Sequence, residues 1–148
     1  ALNDIVISRA GFSRLIGLDV YVNGSFLNAY EGDGIIISTP TGSTGYNLSA
    51  GGPIVDPMAR LMIITPVCPH SLTSKSIVLP SDAKVSIEIA KKRKTQDTEA
   101  IVSFDGGNDF ELAAGDVLDI CVSQRTTQLV KASDVNFYEI LRNKLGGK

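Results

Sequence analysis

Short apolar or alternating runs of strand length recur along the whole chain, and this pattern limits the fold more than any other feature. They are Ile5 to Arg9, Leu15 to Val22, Phe26 to Tyr30, Ile35 to Ser38, Leu61 to Thr65, Ser76 to Leu79, Val85 to Ala90, Ala100 to Phe104, Phe110 to Leu112, Val117 to Ser123 and Thr126 to Lys131. Period-two alternation suits a strand with one face buried, whereas an amphipathic helix repeats its apolar residues three and four apart. Turn chemistry separates the runs: Asn23-Gly24, Gly32-Asp33-Gly34, Pro80-Ser81-Asp82, Asp105-Gly106-Gly107 and Gly115-Asp116. The pattern predicts a mainly β fold, a multi-stranded sandwich.

Two helices are predicted. A short one follows the TPTGSTGY loop, from about Thr44 to Ala50, and is closed by Gly51-Gly52. A terminal one runs from about Asp134 to Leu145 and ends at Gly146-Gly147. Ser133 is its candidate cap, and Phe137, Ile140, Leu141 and Leu145 share one face. With 148 residues and no internal repeat or linker, one domain with a real core is expected. The chain starts at Ala1 and enters an apolar run almost at once, which suggests a cut inside a longer protein.

The net charge of −2 and pI near 5.3 weigh against nucleic acid as a partner. The basic run Lys91-Lys92-Arg93-Lys94 is followed by Asp97 and Glu99 and reads as a solvated hairpin tip. Cys68 and Cys121 stand in apolar surroundings and read as reduced, buried thiols. They make no disulfide framework, and a single histidine leaves no zinc spacing, so no metal ligands are assigned. There is no signal peptide and no apolar run near ~18 residues, so no membrane partner and a cytoplasmic location are expected.

The stretch from Ser38 to Ser49 holds seven hydroxyls in twelve residues: Ser38, Thr39, Thr41, Ser43, Thr44, Tyr46 and Ser49. No Lys or Arg occurs between Arg14 and Arg60. Catalytic motifs fit poorly. Asn47-Leu48-Ser49-Ala50-Gly51 lacks the first glycine of a nucleophile elbow, and His70 is the sole candidate base. Gly42 and Gly45 are too close for a P-loop, and no lysine follows. A binding reading fits better. A buried strand over Ile35 to Ile37 delivers the loop to its end, Pro40 stiffens the turn, and Gly42 and Gly45 allow close approach of backbone to ligand. The first amides of the short helix then point outward toward an anion or polar edge. Asp33, just before the strand, accepts hydrogen bonds and suits amide NH2 groups and paired sugar hydroxyls. A plain Asp-Gly turn with hydroxyls capping a helix explains the same spacing equally well.

ALNDIVI, DGIIISTPTGSTGYNLSAGGPIV, ITPVCPHSLTSKSIVLP and VSFDG closely resemble the C-terminal half of NAD kinases, over essentially the whole chain. The resemblance implies a β-sandwich domain that grips NAD in the crevice beside an N-terminal α/β domain. It implies that Asn3 and Asp4 meet the adenosine half, and that Thr41, Thr44 and Tyr46 hold adenine and ribose, with Ser49 nearby. Asp33 and the Gly45 backbone would meet the carboxamide end. His70 would reach the site from a neighbouring subunit of a homo-oligomer, a dimer or tetramer. The implied reaction moves the terminal phosphoryl group of ATP, or of polyphosphate, to the adenosine 2′-hydroxyl, giving NADP with Mg²⁺ or another divalent cation. A lipid-kinase relative of the same fold and a non-catalytic module sensing NAD or NADP are the competing readings. The first asks for an apolar pocket where this loop is polar.

The chain departs from the family pattern in several places. It contains no Gly-Gly-Asp-Gly motif, which in the family supplies the base and helps cradle the donor phosphates; Gly106-Gly107-Asn108-Asp109 is a weak echo. Hence no catalytic residue is assigned here, and the chain alone is expected to be inactive. Asp4 stands where Glu is usual, Gly45 where Ala is common, and Gly107 where Gln follows Asp-Gly.

Overall fold

The computed structural model describes residues 1–11, 15–71, 73–91, 100–130 and 134–146. Its strands are β1 (Asp4–Arg9), β2 (Ile16–Val22), β3 (Ser25–Gly32), β4 (Gly34–Ser38), β5 (Leu61–Val67), β6 (Ile77–Pro80), β7 (Val85–Ile89), β8 (Ala100–Phe104), β9 (Gly107–Leu112) and β10 (Val117–Ile120). They form a six-stranded sheet, β6-β5-β4-β1-β8-β9, and a four-stranded sheet, β10-β7-β2-β3. Every pairing is antiparallel. The sandwich expected from the alternation is present. Ile7, Ile35, Ile37, Ile64 and Val102 face Leu18, Val20, Val85, Ile87 and Ile89 between the sheets. Each such side chain stabilises the fold by about 1.5–3 kcal/mol relative to exposure.

The register decides what the outer face of the larger sheet presents. Asp4 lies opposite Ser38, Val6 opposite Ile36, and Ser8 opposite Gly34. Residues opposite one another share a face, so these six point away from the core. Yet β4 is buried along its whole length. The chain leaving β4 folds back as a third layer, a 3-10 turn over Thr41–Thr44 followed by α1 (Tyr46–Ser49).

The expected helix from Thr44 to Ala50 is thus two pieces. Gly45 separates them at φ −92 and ψ −132, outside helical backbone, so the ladder cannot continue through it. The outward amides are partly used within the turn. The Gly42 amide donates to Thr39 Oγ1 at 3.1 Å and the Ser43 amide to the Pro40 carbonyl at 3.2 Å.

The terminal helix, α2 (Phe137–Leu145), starts later than the apolar spacing suggests. Asn136 caps it, taking the Glu139 amide at 2.9 Å while Glu139 returns a bond to the Asn136 amide at 3.2 Å. Ser133 and Gly147 lie outside the described residues, as do Lys92, Arg93, Lys94, Asp97 and Glu99 of the basic run. None of the residues of α2 is buried. The Tyr138 hydroxyl donates to Asp56 Oδ2 at 2.6 Å.

Two further expectations are corrected. The run from Thr126 is not a strand: residues 126–130 are irregular and exposed, and Lys131 lies outside the described residues. Alternation yields a strand only beside a partner edge, and the chain leaves the sheet after Ile120 and bends at Ser123–Arg125, where the Arg125 amide meets Ser123 Oγ at 3.0 Å. Cys68 and Cys121 are exposed, not buried. Cys68 turns outward at φ 45 just past β5, and Cys121 follows the last residue of β10.

Candidate functional site

The seven hydroxyls divide by task. Ser38, Thr39 and Ser43 are structural. Ser38 Oγ donates to the Thr39 carbonyl at 2.9 Å, and Thr39 Oγ1 donates to the Leu2 carbonyl at 2.7 Å. Ser43 Oγ takes the Val55 amide at 3.1 Å. Beneath them Asn47 is wholly buried; its Nδ2 donates to the Ser43 and Pro53 carbonyls at 3.0 Å each, and its Oδ1 accepts from Thr65 Oγ1 at 2.7 Å. A side chain on Gly52 would collide with Asn47. No side-chain nitrogen or oxygen that is completely out of solvent contact among the described residues lacks a partner. The other hydroxyls are available. Thr44, Tyr46 and Ser49 are exposed and Thr41 is half-buried, and no hydrogen bond ties them to a described residue.

Asn3 and Asp4 sit at the entry to β1, held through their backbone. The Asp105 carboxylate accepts the amides of Leu2 at 2.7 Å, Asn3 at 2.6 Å and Asp4 at 3.2 Å. From the other side the Thr39 amide donates to the Asn3 carbonyl at 2.9 Å. Gly42 lies so close to the Asn3 carbonyl that any side chain there would overlap it. Asp4 is 6 % exposed, and burial, then the Asp105 charge, raises its carboxyl above the usual value. Burial also pushes the Asp105 carboxyl up, but the three amides together with the amino-terminal charge outweigh it and leave Asp105 below the usual carboxylate value.

Asp33 stands at the far end of the same strand pair. It lies five positions before Ser38, about 17 Å of extended chain. Arg9 Nε donates to Asp33 Oδ1 at 2.7 Å, and Arg9 Nη1 also donates to the Gly11 carbonyl. A cavity of about 380 Å³ opens here, lined by Ser8, Arg9, Asp33, Gly34, Tyr46 and Cys68 among others. The third layer therefore carries Tyr46 back to Asp33. Thr41 instead borders a second cavity, of about 610 Å³, beside Ile37, Thr39 and Asp105. Thus Thr41 and Tyr46 open toward opposite ends of β4 instead of forming one group. Thr44, Gly45 and Ser49 lie exposed on the layer between. His70 is exposed on the turn after β5, its amide bonded to the Glu31 carbonyl at 2.7 Å, and it lines neither cavity.

Sequence reasoning missed Arg9 and Asp105. The loop lacks a cation of its own, and the strand pairing brings one from β1. The Asp-Gly pair in SFDG reads as a hairpin turn, which it is, with Asp105 at φ 51 and Gly106 at φ 73. That its carboxylate faces residues 2–4 depends on β1 pairing with β8, a contact some hundred residues apart in the chain. Among the described residues no group of three or more His, Cys, Asp or Glu could hold a metal ion. None of their helices is long and apolar enough to cross a membrane.

Residues 2–132 match the family described as ATP-NAD kinase C-terminal domain. The NAD kinase of Lachnoclostridium phytofermentans is 52% identical over 148 residues, covering 100% of this chain and 52% of that protein. The NAD kinase of Agathobacter rectalis is 53% identical over 146 residues, covering 99% and 52%. The chain spans about half the length of the curated relatives it matches. Among solved structures, yeast NADH kinase complexed with NADH superimposes with a TM-score of 0.72 at 36% identity, covering 81% of this chain and 34% of that one. An NAD kinase from Archaeoglobus fulgidus in complex with ATP gives 0.74 at 31% identity, covering 84% and 46%.

Proposed function

Since this chain belongs to the NAD kinase family and matches its C-terminal domain, we propose that it is the substrate-binding half of an enzyme that phosphorylates NAD. The parent protein transfers the terminal phosphoryl group of ATP to the adenosine 2′-hydroxyl. The 2′-oxygen forms the new P–O bond, the bond to the ADP oxygen breaks, and the hydroxyl proton leaves to a base outside this chain. The products are NADP and ADP.

One observation carries the reading. Two carboxylates stand at opposite ends of the β1–β4 pair, Asp4 in register with Ser38 and Asp33 beside Gly34. A layer of free hydroxyls from Thr41, Thr44, Tyr46 and Ser49 bridges them. A dinucleotide offers ribose and amide edges at both ends, and carboxylates and hydroxyls recognise such edges by hydrogen bonds. Asn3 and Asp4 take the adenosine end. Asp33, Arg9 and Tyr46 take the other end, where Tyr46 offers a ring face and the Gly45 backbone a polar edge.

Phosphoryl transfer rests on positioning and charge stabilisation. Mg²⁺ keeps several waters and binds through one or two carboxylates plus substrate phosphates. It therefore needs no cage from this half, and it supplies charge neutralisation to the donor phosphates. The base and the phosphate cradle belong to an N-terminal domain bearing the Gly-Gly-Asp-Gly motif. A homo-oligomer places His70 at a neighbouring subunit's site.

The test uses the parent protein with ATP, Mg²⁺ and NAD, following NADP through an NADP-specific dehydrogenase. NADP forms with the parent, is strongly reduced by Asp33→Asn, and does not form with this chain alone. NAD binding without any NADP from the parent would replace this reading with a sensing role.

A further inference from the structure

We propose that Asp105 is a positioning residue for dinucleotide recognition: its carboxylate sets the backbone of residues 2–4 so that the Asn3 and Asp4 side chains are presented to the adenosine half. The inference rests on the NAD-binding reading above and goes beyond it, because Asp105 itself need not touch substrate.

The geometry argues for the role. Three successive amides, those of Leu2, Asn3 and Asp4, converge on one carboxylate at 2.7, 2.6 and 3.2 Å. The Asp105 amide returns a bond to the Asp4 carbonyl at 3.1 Å, closing the clamp. The carbonyls of Leu2 and Asn3 are taken on the opposite side by Thr39. The main chain is thus satisfied without help from either side chain. No described residue hydrogen-bonds the Asn3 or Asp4 side chain, so both are left for a ligand.

The residue type matters too. Asp105 occupies φ 51, a left-handed conformation that Asp and Asn tolerate better than other non-glycine residues. A carboxylate has two oxygens with lone pairs enough for all three amides. Bonds from N–H to a charged acceptor are about twice as strong as neutral ones. Asparagine would keep one acceptor, enough for Asn3 and Asp4, which share Oδ1. It would turn an NH2 group toward the Leu2 amide. Glutamate would keep the charge but add a methylene and push the segment out of line.

The measurement is made on the parent protein with Asp105→Ala, Asp105→Asn and Asp105→Glu. The readouts are KM for NAD, KM for ATP, kcat per active site, and the Kd for NAD by calorimetry. Loss of one charge-assisted contact's worth of positioning predicts an increase of about tenfold or more in KM and Kd for NAD in Asp105→Ala. KM for ATP stays within about twofold, and Asp105→Asn recovers most of the loss. A role confined to folding would lower the active fraction and the thermal midpoint while leaving Kd for NAD unchanged, and that result overturns the proposal. If Asp105→Ala does not fold, Asp105→Glu decides: a raised Kd supports the clamp, an unchanged Kd overturns it. If the parent binds NAD but makes no NADP, the phosphorylation reading fails while the Kd comparison still tests Asp105. If the parent does not bind NAD, both fall.

Discussion

Arg9 and Asp33 meet through Nε and Oδ1 at 2.7 Å, and the Arg9 amide also donates to the Asp33 carbonyl at 3.0 Å. This double tie joins the end of β1 to the residue that opens β4. The side chains are 26% and 35% exposed, so the ion pair contributes no more than about 1 kcal/mol to stability. Its larger effect is to fix one carboxylate oxygen at a cavity that Asp33 lines, while no described residue hydrogen-bonds the other. Asp33→Asn should therefore weaken NAD binding by roughly 10- to 100-fold, the worth of a charge-assisted bond. Calorimetry should show this with little change in the thermal midpoint.

Tyr46 is 49% exposed on the rim of the Asp33 cavity. Stacking on an aromatic face contributes roughly 1–3 kcal/mol per base. Tyr46→Ala should raise Kd for NAD by about 5- to 100-fold, and Tyr46→Phe should restore most of it. Equal losses in the two variants, measured side by side, would assign the contribution to the hydroxyl instead of the ring.

Asp4 sets stability against binding. Burial and the Asp105 charge raise its carboxyl, so its ionised form is disfavoured in the folded protein. That cost is present above the raised value and is relieved as pH falls through it. Asp4→Asn removes the cost, so it should raise the thermal midpoint at neutral pH, and the gain should shrink under acid. The same variant should bind NAD less tightly. Asp105 titrates in the opposite sense: its lowered carboxyl stabilises above the ordinary carboxylate range and loses that contribution as pH falls through the lowered value. Thermal scans of Asp4→Asn and Asp105→Ala from neutral to acidic pH separate the two.

Asn47 holds the third layer onto the sheet through bonds to Ser43, Pro53 and Thr65. Asn47→Ala removes three hydrogen bonds at once and leaves the buried Ser43 carbonyl without its partner. A loss of about 2–4 kcal/mol is expected, read as a lower urea midpoint with an unchanged slope. Because the layer carries Thr41, Thr44 and Tyr46, NAD affinity should fall with it.

Strand content was legible because alternation reports burial directly. Both sheets follow from runs such as Ile35 to Ser38 and Val85 to Ala90, trimmed or extended by up to three residues. The run at Thr126 misled because periodicity says nothing about whether a partner edge exists. Gly45 misled because a glycine that breaks a helix and one that admits a ligand look alike in sequence. Resemblance brought Asp33 and Asn3 forward, but the side chains that position them come from elsewhere. Arg9 reaches Asp33 across a strand pair, and Asp105 reaches Asn3 across another. Such pairings are long-range contacts, and local propensity does not encode them.

The Asp105 clamp holds peptide N–H groups, which every residue except proline possesses. Positions 3 and 4 can therefore exchange side chains without disturbing their own support. On the proposed function, a side chain one methylene longer or shorter at position 4 would retune the adenosine end of the site. Side-chain identity and main-chain support are separable here, and a library built at these two positions without proline would vary the groups presented while keeping the clamp's hydrogen bonds.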